Sequence, residues 1–125
     1  MTKREALEKQ FERALKKFDE ILQEKKTEIA RDAAILRFEF TFDVAWKALK
    51  EYLENRKNVM VASPGDCFRE AYRTGVIEYK ATWLKMAKAR NEAVHTYKEA
   101  LAKALYKKLP GYLKMFKELA ESLKK

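Results

Sequence analysis

The sequence predicts an all-α protein, a single-domain antiparallel bundle of five to six helices occupying residues 1–125. Three observations lead there. The chain has only three Gly and two Pro, too few for the turns of a many-stranded sheet. Its apolar residues recur at steps of three and four, the period of a helix with one buried face. Hydrophobic residues make up 47% of the chain, enough for one core and against disorder.

The first helix is expected over residues 3–26, where Leu7, Phe11, Ala14, Leu15, Phe18, Ile21 and Leu22 form one stripe among Lys and Glu. The second, about 30–56, is the most apolar. Ile35, Phe38, Phe42, Trp46, Leu49 and Leu53 lie on one face, and Phe40, Val44, Ala48 and Tyr52 on the next. So wide an arc suits a central helix, or one that also meets a second subunit. Within it, Phe38-Glu39-Phe40-Thr41-Phe42 alternates like a strand, but five residues do not override a long 3.6-residue pattern.

Asn55–Ala62 reads as a connector. Ser63-Pro64-Gly65-Asp66 then starts a short helix, with Ser as N-cap, Pro in the first turn and Asp three residues after the cap. This helix runs through Arg73, and Gly75 is placed to end it in a left-handed conformation. A fourth helix covers Tyr79 to about Asn91, burying Trp83, Leu84, Met86 and Ala87. A fifth covers about Lys98–Leu109, Pro110-Gly111 breaks the chain, and a sixth covers about 112–123.

Several function classes drop out. The lone Cys67 excludes an internal disulfide framework and a cysteine zinc cluster. Its place early in a helix leaves a lowered thiol pKa open, although a packed thiol is the simpler reading. One histidine excludes a His-rich metal centre, so neither metal nor cofactor is expected. No stretch resembles a signal peptide or a membrane span, which points to the cytoplasm. The net charge of +9 is uneven, at +2 over residues 1–58, +2 over 59–97 and +5 over 98–125. The basic end would steer a polyanion or an acidic partner, or simply keep the protein soluble.

The segment Arg90-Asn91-Glu92-Ala93-Val94-His95-Thr96-Tyr97 interrupts the helical pattern. In one continuous helix Arg90 and His95 would stand about 140° apart. A helix end after Asn91 would let them converge. A guanidinium beside an imidazole suits a phosphodiester: His95 would shuttle a proton, and Arg90 would stabilise charge on the non-bridging oxygens. Asn91 would orient the imidazole or donate to phosphate. On residue chemistry alone a structural alternative comes first. There Asn91 caps the helix, Arg90 pairs with an acid such as Glu39, and His95 meets a backbone carbonyl. Tyr97 offers a ring to stack and a hydroxyl to donate or to be modified.

In order and spacing the chain resembles the HEPN superfamily, in the branch of nucleotidyltransferase substrate-binding proteins. The resemblance covers nearly the whole chain. It rests on Arg37-Phe38-Glu39-Phe40-Thr41-Phe42 leading to Trp46-Lys47-Ala48-Leu49-Lys50-Glu51-Tyr52-Leu53, on Phe68-Arg69-Glu70-Ala71 with Gly75, and on Trp83 and Met86. The most specific anchor is Arg90 to His95, which fits the superfamily's Arg, four-to-six residues, His motif and continues to Tyr97.

The resemblance implies a HEPN-like bundle that forms a homodimer, or a larger assembly, and works beside a minimal nucleotidyltransferase. In the related toxin–antitoxin pairs the HEPN protein is a metal-independent ribonuclease whose motif Arg and His meet the RNA near the subunit interface. The partner silences it by transferring AMP to the motif tyrosine. Carried over, Arg90 and His95 are the catalytic pair, Asn91 and Glu39 support them, and Tyr97 is the nucleotidyl acceptor. The leading expectation is therefore a toxin-like endonuclease acting on RNA, with tRNA among its candidate substrates. The alternative is a non-catalytic substrate-binding or adaptor subunit of a nucleotidyltransferase, and a third possibility is a purely structural motif.

Overall fold

The computed structural model describes residues 1–125 and contains helices and connecting turns, without strands. The helices are α1 (Lys3–Gln23), α2 (Glu28–Arg56), α3 (Pro64–Arg73), α4 (Lys80–Glu92) and α5 (Glu99–Ser122), with a 3₁₀ turn at Ala93–His95 between the last two. This is a five-helix antiparallel bundle, the HEPN-like arrangement.

Side-chain caps set several of the helix starts. Thr2, Thr27 and Ser63 each stand in extended backbone and accept from the amide three residues on, at Glu5, Ala30 and Asp66. Because Thr27 caps α2, α1 must end early. It stops at Gln23 rather than at 26, and Glu24–Lys26, which bring nothing apolar to bury, form the connector. Gly75 ends α3 at φ +80°, while Val76 N–H donates back to Ala71 O at 2.8 Å.

α2 runs through the centre. Its strand-like pentad is helical, because Phe38, Thr41 and Phe42 bury against neighbouring helices while Phe40 points outward and is 57% exposed. α2 is thus apolar beyond the arc its neighbours cover, leaving Ile29, Leu36 and Phe40 at the surface.

Phe116 of α5 is the hub of the core. Its ring centroid lies 6.3 Å from Phe11, 6.0 Å from Phe18, 6.3 Å from Phe38 and 5.9 Å from Trp83. Trp83 in turn stacks on Phe68 at 4.9 Å. Each such buried ring contributes about 1.5–3 kcal/mol.

That burial explains a departure from expectation. Pro110-Gly111 does not split the C-terminal region, and α5 is one helix from Glu99 to Ser122. Proline in a helix interior costs about 3 kcal/mol, because it removes one hydrogen bond and crowds the preceding turn. Here Pro110 and Gly111 are exposed, while Leu105, Leu109, Tyr112, Phe116 and Leu119 continue one buried stripe across them. Breaking the helix would misalign several rings, which costs more than one backbone bond. No helix is long and apolar enough to cross a membrane.

Candidate functional site

The last turn of α4 brings the two ends of the polar segment to different surroundings. Trp83 and Met86 bury one face of α4 and Ala93 buries at its end, which anchors the turn. Arg90 therefore faces α2. Its Nε and Nη2 donate to Asp43 Oδ1 and Oδ2, both at 3.1 Å, and its Nη1 lies 3.5 Å from Glu39 Oε2. The pairing is fork to fork, the strong geometry for Arg and carboxylate. The three side chains are partly shielded, Arg90 retaining 25% of its exposure, Glu39 22% and Asp43 39%.

Asp43 was not among the residues singled out from sequence. The available signal was its position four residues after Glu39, which sets both carboxylates on one α2 face. Only the α4–α2 packing shows that Arg90 meets that face. Burial pushes the Glu39 carboxyl above its ordinary range; Arg90 opposes this and the nearby Asp43 adds to it. The Asp43 hydrogen bonds, chiefly, raise the Arg90 guanidinium pKa against a desolvation penalty.

Beyond Arg90 the chain tightens into the 3₁₀ turn. Thr96 Oγ1 donates to Ala93 O at 2.7 Å, and Lys98 N–H donates to His95 O at 3.0 Å. His95 is exposed, and its ring meets Tyr97 edge-on with centroids 6.3 Å apart. Tyr97 is 78% exposed, with Lys98 Nζ 5.9 Å from its ring centre. Asn91 is also exposed, within the last turn of α4 rather than at its cap. The structure thus joins Arg90 to Glu39 and Asp43, and His95 to Tyr97. Within one protomer the partners of Arg90 are carboxylates of α2, not the imidazole.

No group of three or more His, Cys, Asp or Glu side chains is arranged to hold a metal ion. Cys67 is fully buried and packed, and desolvation pushes its thiol up to about 12, the opposite of an activated cysteine.

Similar proteins place this architecture. The chain has 36% identity to a Thermus thermophilus protein of known crystal structure, with a TM-score of 0.88 over 92% of this chain and 99% of the other. A Haemophilus influenzae structure, described as revealing the fold of a substrate binding domain of a nucleotidyltransferase, superposes with a TM-score of 0.70. That alignment covers 98% of this chain and 97% of the other at 24% identity, so it speaks to the fold alone. A Haemophilus influenzae sequence named "Probable ribonuclease HepT" is 30% identical over 95 residues. The match takes in 73% of this chain and spans 65% of that relative's length. Residues 6–125 match the family described as "Nucleotidyltransferase substrate binding protein like". The chain belongs to that family, and through it to the HEPN superfamily.

Proposed function

We propose that this protein is the substrate-binding or adaptor subunit of a nucleotidyltransferase. The observation that carries this reading is the engagement of Arg90 by Asp43 and Glu39. A group meant to stabilise a pentacovalent phosphorus must present uncompensated positive charge where the negative charge develops. Arg90 spends its fork on two carboxylates instead, which suits a residue that positions the turn for binding. The exposed Tyr97, His95 and Lys98 then form the presenting surface, and the cationic C-terminal third draws the partner's acidic face toward it. In this reading Tyr97 accepts a nucleotidyl group: its phenolic oxygen attacks the α-phosphorus of ATP as the phenolic proton passes to a base such as His95, and pyrophosphate leaves. A homodimer would set two such polar segments side by side.

A ribonuclease is the second reading, favoured by the solvent-facing imidazole of His95 and by the name of the Haemophilus relative. It requires Arg90 to exchange Asp43 for a phosphate once RNA binds. His95 would then take the 2′-hydroxyl proton while water, Tyr97 or His95 of the partner subunit protonates the leaving 5′-oxygen.

Two assays separate the readings. Purified protein mixed with its neighbouring nucleotidyltransferase is expected to form a stable complex by light scattering. With ATP it should gain an AMP mass increment that is absent in Tyr97→Phe; an increment retained in that variant removes Tyr97 as sole acceptor. In parallel, tRNA and other RNAs are incubated with wild type, Arg90→Ala and His95→Ala in EDTA. Intact RNA supports the adaptor, whereas EDTA-resistant cleavage lost in both variants overturns it in favour of the nuclease.

A further inference from the structure

A groove between α1 and α2 has the features of a second binding site. Its α1 wall is Gln10, Arg13, Ala14 and Lys17, a single stripe at helical spacing, and its α2 wall is Arg37 and Phe40. The groove is open to solvent, with a volume of about 190 Å³. One long-range hydrogen bond holds the walls in register, Arg37 Nη1 donating to Lys17 O at 2.8 Å; Thr41 Oγ1, which donates to Arg37 O at 2.7 Å, packs 3.3 Å from Ala14 O. The groove is therefore built into the α1–α2 packing.

Its charge is unusual for this molecule. Of the eight arginines in the chain, five pair with carboxylates, namely Arg4, Arg31, Arg69, Arg73 and Arg90. Arg56 reaches the C-terminal Lys125. The remaining two, Arg13 and Arg37, meet at this groove beside Lys17, with no carboxylate among the lining residues. Three cations gathered without an acid repel one another, a cost that an anionic ligand relieves. Between them stands Phe40, a ring 57% exposed one helical turn beyond the half-exposed Leu36. A solvent-facing aromatic among unpaired cations suits a ligand that is planar and apolar on one part and anionic on another.

We infer that the α1–α2 groove binds a nucleotide unit, its base stacked on Phe40 and its phosphate held by Arg13, Lys17 and Arg37. The volume falls below the ~300–1,000 Å³ that encloses a whole drug-sized ligand, so the ring alone enters and the phosphate stays at the cationic rim. Small Ala14 on the facing wall leaves room for the ring. Arg37 spends one N–H on Lys17 O and keeps the rest of its guanidinium for phosphate. A free nucleotide and a residue of an RNA strand share this chemistry. The inference takes its biological setting from the substrate-binding reading, but its evidence is independent of Arg90, His95 and Tyr97.

The test is fluorescence anisotropy of the intact protein with a labelled short single-stranded RNA, and with ATP as competitor. Phe40→Ala is expected to weaken binding about 5- to 150-fold, the range for losing one stacked base, while Phe40→Trp restores it. Arg13→Glu is expected to weaken binding and flatten its salt dependence, whereas Arg69→Glu, an equal charge change on exposed α3, leaves affinity within about twofold. Displacement by ATP identifies a free-nucleotide site, and binding of the strand without ATP competition identifies an RNA site. Either supports the groove.

Absence of binding by wild type overturns the inference, as does equal weakening by Arg69→Glu and Arg13→Glu. So does a Phe40→Ala variant that binds normally but loses a dimer by light scattering, because a second copy would then be the occupant. Circular dichroism melts of each variant show that it folds. Complex formation with the nucleotidyltransferase, measured on the same preparations, separates failure of this inference from failure of the adaptor reading.

Discussion

Replacing Asp43 with alanine removes both acceptors of the Arg90 fork and leaves Glu39, 3.5 Å away, as its remaining partner. The cost lies between two limits. Fully exposed ion pairs contribute about 0.2–1 kcal/mol, and losing one partner of a fully buried pair costs about 3–5 kcal/mol. Arg90 is 25% exposed and Asp43 39%, and the fork is bidentate, which sets the loss above the surface limit. Glu39 recovers part of it. The expected destabilisation is therefore roughly 1–2 kcal/mol, or a fall in Tm of about 3–10 °C for a chain of this size. A double-mutant cycle with Arg90→Ala, read by urea denaturation and far-ultraviolet circular dichroism, isolates the pair. Its coupling should be about 1 kcal/mol. A coupling within about 0.3 kcal/mol of zero would show that the fork contributes nothing in solution, and would remove the main support for a positioning role of Arg90. The same Asp43→Ala variant informs the functional choice. It uncovers the guanidinium, so a latent nuclease should gain RNA cleavage, while an adaptor should gain only anion affinity.

Three further expectations follow from the packing and the charges. Pro110→Ala should stabilise the protein by about 2 kcal/mol, since it removes the helix-interior proline penalty of about 3 kcal/mol and gives back about 0.4–1 kcal/mol of unfolded-chain entropy; an unchanged or lower Tm would show that α5 is not continuous there. Burial raises the folded-state pKa of Glu39, so the native chain holds this proton more tightly than the unfolded chain. That contribution to stability is complete below the ordinary glutamate range and is lost as pH rises through the raised native value. Wild type should accordingly lose stability relative to Glu39→Gln as pH rises from the ordinary glutamate range through that raised value, and a pH-independent difference between the two would refute the assignment. Cys67, buried and pushed up to about 12, should react with an aromatic disulfide at mildly alkaline pH only as fast as the chain unfolds; rapid labelling of the native protein would contradict its packing.

What could be read directly from the sequence is local. Ser63, Pro64 and Gly75 act within one turn of themselves, and they start or end a helix as their chemistry requires. The apolar stripes repeat every three to four residues, so helix positions and most of the core were legible, including the helical state of Phe38–Phe42. The polar segment stood out by its broken periodicity, and its order of residues carried the family resemblance.

What the tertiary structure decided involves residues far apart in the chain. Pro110 carries a strong local signal to break, which loses to the burial of Tyr112 and Phe116 against helices made of distant residues. Asp43 looks like any helical carboxylate until α4 lays Arg90 across it, 47 positions away. Arg13 and Arg37 lie on different helices, and only the α1–α2 packing brings them to one groove with Phe40 and no acid. Caps and periodicity are set by neighbours within one helical turn, where sequence spacing is distance. Charge pairing and groove shape are set by which helix faces meet, and that is settled only when the whole apolar arc is buried.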